Sequence, residues 1–271
     1  MKFFIVHAHP DPASFNSALK NMAVATLTDE GHEVAVSDLY QMQFKATMDT
    51  ADFSLTRKNL MRLQFDVEQE HQHLVGAYPA DVAMEQARVE WCDVMIFHFP
   101  IWWFSMPSIL KGWVERVLAR GFAYGPRRKH ATGHFAGRRA MVTCTTGAFA
   151  DVYAPDGIEG DIGHLLWPIN NGIFHFMGFT PLPSFVAYAP RLIPDSERAK
   201  YLGAYAQRLR SLEGVAPLFM HPADDYGPNQ RLTVKARSGF QWNPGAGQSR
   251  EQAARHHTSS DPSGPDRPDE P

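Results

Sequence analysis

Four stretches of this chain are apolar almost without interruption: FFIVHA from residue 3, DVMIFHFP over 93–100, RRAMVTC over 138–144 and SFVAY over 184–188. Runs of this kind suit strands buried on both faces of a parallel sheet, because a strand with one wet face would alternate. A further strand is predicted over 33–37. Between the runs the spacing changes to helical. Phe15, Ala18, Leu19, Met22, Ala23 and Leu27 recur on one face after Ser14, a good N-cap, and Gly31 supplies a stop. Helices are also predicted over 81–91, after Pro107 with Ile109, Leu110, Trp113, Val114, Val117 and Leu118 as the apolar face, over 163–176 and over 194–212.

Alternating strands and helices predict an α/β fold: a doubly wound five-stranded parallel sheet with helices on both faces, spanning 1–215. Residues 45–80 are polar and irregular and read as an excursion between sheet elements. From 216 to 242 the chain turns extended, as a segment that packs on the domain or a partner. From 243 to 271, with NPGAG and SSDPSGPDRPDEP, a disordered tail is expected. There is no internal repeat.

Composition narrows the classes. With 44% of 271 residues apolar the chain can bury a sizeable core, and its net charge of −3 with no long basic run gives no footprint for a nucleic-acid backbone or an anionic membrane. Cys92 and Cys144 each sit in or beside an apolar run, where reduced core thiols are expected. The first apolar run is too short for a signal peptide and no stretch is long enough to span a bilayer, so a soluble cytoplasmic protein is expected.

In open α/β sheets, ligands bind beyond the carboxyl ends of the strands. Those ends here read HAHPDPASFN, FPIWWFSMP and TTGAFADVY. The first places His9, Ser14 and Asn16 at a helix N-terminus, which favours phosphate. The second offers flat aromatic surface. The third supplies hydroxyls and a glycine whose backbone can approach the carbonyl-bearing edge of a ring. Phosphate, planar ring and ring edge together describe a flavin nucleotide. No GxGxxG follows the first strand and no GxxxxGK[ST] appears, which disfavours a Rossmann dinucleotide site and a nucleoside triphosphatase. His7 and His9, at i and i+2 on a predicted strand, would share a side, and HAHPD is similar to part of the AHPDD signature of zinc-dependent sugar deacetylases. Pro12 stands where that signature has its second aspartate, so no metal site is assigned.

SFNSAL after the first strand, SDLYQMQF over 37–44, FPIWWFSMPSILKGWVERV over 99–117, FAYG over 122–125, TTGAFADVYAPDGIEGD over 145–161 and WPINNGIFHFMGF over 167–179 follow in sequence. In this order they resemble the motifs of the NAD(P)H:quinone oxidoreductases of the DT-diaphorase type, from about residue 2 to 220. The resemblance implies a flavodoxin-like fold, FAD ahead of FMN, a homodimer with its active site at the subunit interface, and two-electron reduction of quinones. It further implies ping-pong transfer, in which nicotinamide passes hydride to flavin N5 and a quinone then takes it. NADH and NADPH stay alternatives, as does a flavin-binding electron-transfer module without dehydrogenase activity.

Carried onto this sequence, the resemblance implies His9, Phe15, Asn16 and Ala18 along the pyrophosphate and ribityl chain. Pro100, Ile101, Trp102, Trp103 and Phe104 would line the isoalloxazine. Thr145, Thr146, Gly147 and Ala148 would hold its polar edge, Arg198 and Leu202 would lie near the adenine, and Gln64 would reach the partner's flavin. Trp103, Phe104, Tyr124 and Phe176 would bound the substrate, the last two from the other subunit. Tyr153 matches the family's catalytic tyrosine, and Glu159 stands where the family has a catalytic histidine. Ala148 replaces a second glycine, Pro126 a second pocket tyrosine, and a pocket histidine is missing near Arg191 and Leu192.

Overall fold

A computed structural model describes residues 1–54 and 57–255 of the chain. The strands are β1 (Lys2–His7), β2 (Glu33–Asp38), β3 (Val94–Pro100), β4 (Arg139–Thr145), β5 (Thr180–Pro181) and β6 (Phe185–Ala187). The helices are α1 (Phe15–Asp29), α2 (Phe65–Val75), α3 (Ala80–Trp91), α4 (Ser108–Val117), α5 (Ile162–Ile169), α6 (Asp195–Arg210) and α7 (Arg250–Ala254). All strand pairings are parallel and the order is β2-β1-β3-β4-β5, with β6 also on β4. The fifth strand of the predicted sheet is therefore two pieces. Thr180–Pro181 pairs with Arg139 and Ala140, and Phe185–Ala187 with Thr143 to Thr145.

The continuous apolar runs are buried on both faces, as their pattern requires. Phe4 and Val6 join Phe97, Trp113, Leu166 and Phe174 in one core, while Phe3 and Ile5 join Leu19, Leu27, Tyr205 and Leu209 in the other. Helices α1 and α6 thus cover one face, and α3, α4 and α5 cover the opposite one. Ser14 caps α1 by accepting from the Ser17 amide, as expected. Cys92 and Cys144 are buried free thiols.

Three elements differ from the pattern-based expectation. The excursion over 45–80 contains α2, whose sequence FDVEQEHQHLV lacks an apolar stripe. It docks through buried polar groups instead: Glu68 accepts from the amides of Lys58 and Asn59 at 2.7 and 3.0 Å, and Gln69 Nε2 donates to the Glu115 carbonyl at 2.8 Å. The helix predicted over 163–176 is α-helical only to Ile169 and continues as a π-turn, Asn170–His175, beyond Pro168, which cannot donate an amide.

The third difference concerns the tail expected to be disordered from 243. Within the described residues it forms a turn capped by Asn243 and then α7, with Gln248 and Ala253 buried. Asn243 Nδ2 donates to the carbonyls of Leu232 and Val234, and Gln248 bonds both backbone groups of Ala236. The rest of that expectation, 256–271, lies outside the described residues. The extension over 216–242 packs on the α/β unit, where Leu218 N donates to Pro181 O and Phe240 stacks on Trp167 at 4.1 Å. Among the described residues no helix is long and apolar enough to cross a membrane.

Candidate active site

The chain winds from β1 outward to β2, then returns to add β3, β4 and the split fifth strand on the other side, so the topological switch lies between β1 and β3. Register brings the three strand ends level, with His7 opposite His98 and Pro100 opposite Thr145. The loops that leave these ends form one surface.

The β1 loop leads into α1. Asn16, buried in the first turn, donates from Nδ2 to Thr145 Oγ1 at 2.6 Å and so ties α1 to the end of β4. Its Oδ1 is buried without a partner. A buried carboxamide oxygen left unbonded costs roughly 1–3 kcal/mol, which a donor on a bound molecule would recover. His9 is half-buried, accepts the Asp11 amide at Nδ1 (3.0 Å) and faces Trp102 at 5.9 Å between ring centroids. The same Nδ1 lies 3.2 Å from the Asp11 carbonyl, so Asp11 fixes the orientation of the ring. Ala18 bonds back to the Ser14 carbonyl in the same first turn.

The β3 loop is a tight reversal. Trp102 and Ser105 exchange backbone hydrogen bonds at 3.0 and 3.1 Å, and the two residues between them, Trp103 and Phe104, have φ of 47° and 59°. Two positive φ values define a turn normally built from Asn and Gly. Here they belong to a tryptophan that is 94% exposed and a phenylalanine that is 44% exposed. Non-glycine residues in this region each cost of order 1 kcal/mol, and such strain concentrates at functional sites. Pro100 is buried in the strand and Ile101 N donates to Thr145 O, which holds the turn beside the β4 loop.

In the β4 loop, Thr145 is engaged by Asn16, while Thr146 Oγ1 donates to Ala148 O at 2.7 Å and accepts the Ala189 amide. A Cβ built on Gly147 meets nothing within 4 Å, so the loop is open in front of it. The chain then turns through Ala150–Tyr153 and comes back on itself, with Glu159 N donating to Val152 O at 3.0 Å. The close return depends on Gly157, where a Cβ would lie 2.3 Å from Asp151 O. Tyr153 is buried against the core, 6.2 Å from the Tyr188 ring, and Glu159 is half-buried beside it. Burial first, and the Glu159 charge second, push the Tyr153 phenol above its usual range, so it keeps its proton at neutral pH.

A planar molecule with a carbonyl-bearing edge and an anionic tail fits this surface. Open backbone at Gly147, the partnerless Asn16 oxygen and the aromatic turn would hold such a ring, and the N-terminus of α1 its tail. Beyond Phe15, which meets Tyr201 edge-on at 6.5 Å, lie the half-buried Leu202 and Arg198. Arg198 is bound to the carbonyls of Pro190 and Ile193 and to Asp195, so its guanidinium braces its own loop.

Other expected residues stand elsewhere. Gln64 is exposed at the start of α2. Tyr124 and Phe176 pack on each other at 5.4 Å in a separate cavity of about 870 Å3, together with His130, His175 and Trp167. Its far wall comes from the C-terminal extension, through His221, Tyr226 and Gln241. Spacing alone gave no access to that wall, since the segment carries no periodic apolar face.

His7 and His9 do not share a side, because β1 ends at His7 and the alternation stops there. His7 points inward, its Nδ1 3.2 Å from Nδ1 of fully buried His98. Burial lowers His7 to about 4 and holds His98 well below its usual value, so both are neutral at pH 7. This pair was legible only as two imidazoles inside otherwise apolar runs.

Residues 1–211 match the family described as having a flavodoxin-like fold. A mouse (Mus musculus) ribosyldihydronicotinamide dehydrogenase [quinone] is 38% identical over 221 residues, 82% of this chain and 96% of that protein. A rat (Rattus norvegicus) NAD(P)H dehydrogenase [quinone] 1 is 36% identical over 225 residues, 83% of this chain and 82% of that one. The crystal structure of a Klebsiella pneumoniae protein provisionally assigned as a quinone reductase superposes with a TM-score of 0.82 at 38% identity, covering 86% of this chain and 94% of that one.

Proposed function

The chain belongs to the flavodoxin-like family, and from that membership we propose that it is an FAD-dependent NAD(P)H dehydrogenase that reduces quinones by two electrons in a ping-pong cycle. The observation that carries the reading is the convergence at three strand ends of the partnerless Asn16 oxygen, the strained Trp103–Phe104 turn and the open loop at Gly147. When bound, the flavin would supply the acceptance and release of hydride that separates the nicotinamide half-reaction from the quinone half-reaction.

The chain's own groups would do the rest. Asn16 and the Thr145–Ala148 backbone bind and orient the ring edge, and His9 with the N-terminus of α1 receives the pyrophosphate. Trp103 and Phe104 present a flat apolar wall against which a nicotinamide or quinone can stack. Tyr153, protonated and shielded, is the donor for charge that develops at the ring edge. Tyr124, Phe176 and Gln64 stand apart from this cradle, which supports a homodimer in which the cavity of one subunit faces the cradle of its partner. The two free thiols support a reducing compartment, and the cytoplasm is the proposed location.

An anaerobic spectrum tests the reading. The purified protein should be yellow, release FAD on denaturation, bleach with NADH or NADPH, and regain colour when a quinone is added. Release of FMN would overturn the cofactor assignment, and a colourless protein that takes up neither flavin would overturn the whole reading. The Glu159 carboxylate at the position of the family's histidine favours one second reading, an electron-transfer module, in which bound flavin stays coloured with either nucleotide.

A further inference from the structure

The cavity holding Tyr124 and Phe176 is lined by two cationic side chains that have no ion-pair partner among the described residues. Residues Gly125 and Arg128 exchange backbone hydrogen bonds around a two-residue turn, with Pro126 first and Arg127 second at φ 61°. That second position ordinarily goes to glycine or asparagine. Arg128 anchors the turn by donating to the carbonyls of Gly121 and Phe122 at 3.1 and 3.3 Å. Arg127 and Lys129, both lining the cavity, make no ion pair among the described residues, whereas Arg120, also in the lining, is paired with the two carboxylates of Asp66 and Glu70 at 2.8 and 3.1 Å.

Two of the cavity's histidines are held towards the neutral form. Burial lowers His175 to about 4 and lowers His130, which also lies beside Lys129. His221 is turned onto Asp225 at 2.7 Å, which occupies that carboxylate. The walls are flat rings, and Tyr226 and Gln241 bond each other at the far side. An aromatic slot of about 870 Å3 is of ligand size, and a guanidinium with an ammonium at its mouth matches an anion.

We propose that this cavity selects a planar ligand bearing an anionic group (carboxylate, sulfonate or phosphate), with Arg127 and Lys129 reading the charge. The inference rests on the dehydrogenase reading for its place in the reaction but not for the binding itself. The anion could be carried by the acceptor or be the 2′-phosphate of NADPH.

The test has a binding arm and a turnover arm, both on the full chain as purified. Calorimetry compares 2-naphthalenesulfonate with neutral 2-naphthalenemethanol. The sulfonate should bind about ten-fold tighter, and the advantage should fall below about three-fold in Arg127→Asn/Lys129→Gln, asparagine being chosen because it tolerates positive φ. Equal binding of the two probes by the native protein, or an unchanged ratio in the double variant, overturns the proposal. Should the double variant fold poorly by circular dichroism, Lys129→Glu alone should lower the ratio, and a ratio held at the native value overturns it equally. In turnover, kcat/KM ratios for sulfonated against neutral menadione and for NADPH against NADH are compared between native and variant protein. A fall in the first ratio assigns the anion to the acceptor and a fall in the second to the nucleotide, while constancy of both counts against the proposal. Absence of all turnover defeats the dehydrogenase reading and leaves the calorimetry to decide the charge.

Discussion

Tyr153 and Glu159 share one loop but differ in what they can give. The buried phenol holds its proton and can donate it, while an ionised carboxylate beside developing negative charge can only repel. Tyr153→Phe should therefore lower kcat by about a hundred-fold, the low end for loss of a positioned acid, and Glu159→Gln by less than about three-fold. Stopped-flow reduction by NADH ranks the two, and a larger loss in the glutamine variant would reverse the assignment. Asn16→Ala removes both the tie to Thr145 and the partnerless oxygen, so the flavin Kd should rise about ten-fold. Fluorescence of released flavin reads this, and retention equal to native would strike Asn16 from the site. The His7–His98 pair makes a stability prediction independent of any cofactor. His7 titrates near 4 when folded and near 6.5 when unfolded, so the unfolded chain binds more protons between those values. Its contribution is present in full above about pH 6.5 and is lost as pH falls towards 4. The urea midpoint should drop across that window, and His7→Gln should flatten the drop. An identical pH profile in the variant would assign the loss to other groups.

At the scale of elements, what could be read in advance depended on what holds each element. The four continuous apolar runs and the helices with an apolar face were legible, since burial dictates their pattern. Helix α2 was not, because its inward positions are Glu68, Gln69 and Gln72, bonded to backbone groups that only the folded chain brings near. Thr180–Pro181 is too short and proline-bearing to register as a strand, although both residues pair with β4. The strand-end loops were legible by composition, polar after β1 and β4 and aromatic after β3. The backbone of the Trp103–Phe104 turn was not, because aromatic residues with positive φ run against local preference. That conflict gives a prediction: Trp103→Gly should relieve about 1 kcal/mol and raise Tm by roughly 2–4 °C, while lowering kcat/KM for quinone. Differential scanning calorimetry with steady-state assays checks both signs, and a fall in Tm would mean that the turn is not strained.

For the molecule as a whole, the α/β unit and the segment after it are held together in different ways. The sheet is secured by two continuous cores, whereas residues 216–255 rest on local contacts such as the Trp167–Phe240 stack and the bonds of Asn243 and Gln248. Phe240→Ala should therefore speed amide exchange over about 220–248 and leave β1, β3 and β4 protected. Uniform acceleration would show one cooperative unit instead. One wall of the charged cavity, through His221, Tyr226 and Gln241, belongs to this outer segment, while the cradle at the strand ends belongs to the sheet. Substitutions that reshape the wall are therefore free of the packing demands that fix Asn16, Thr145 and Tyr153. On the proposed reading, a lineage carrying this fold can change which ligand the cavity takes without disturbing the strand-end cradle, so ligand range can drift while that cradle stays fixed.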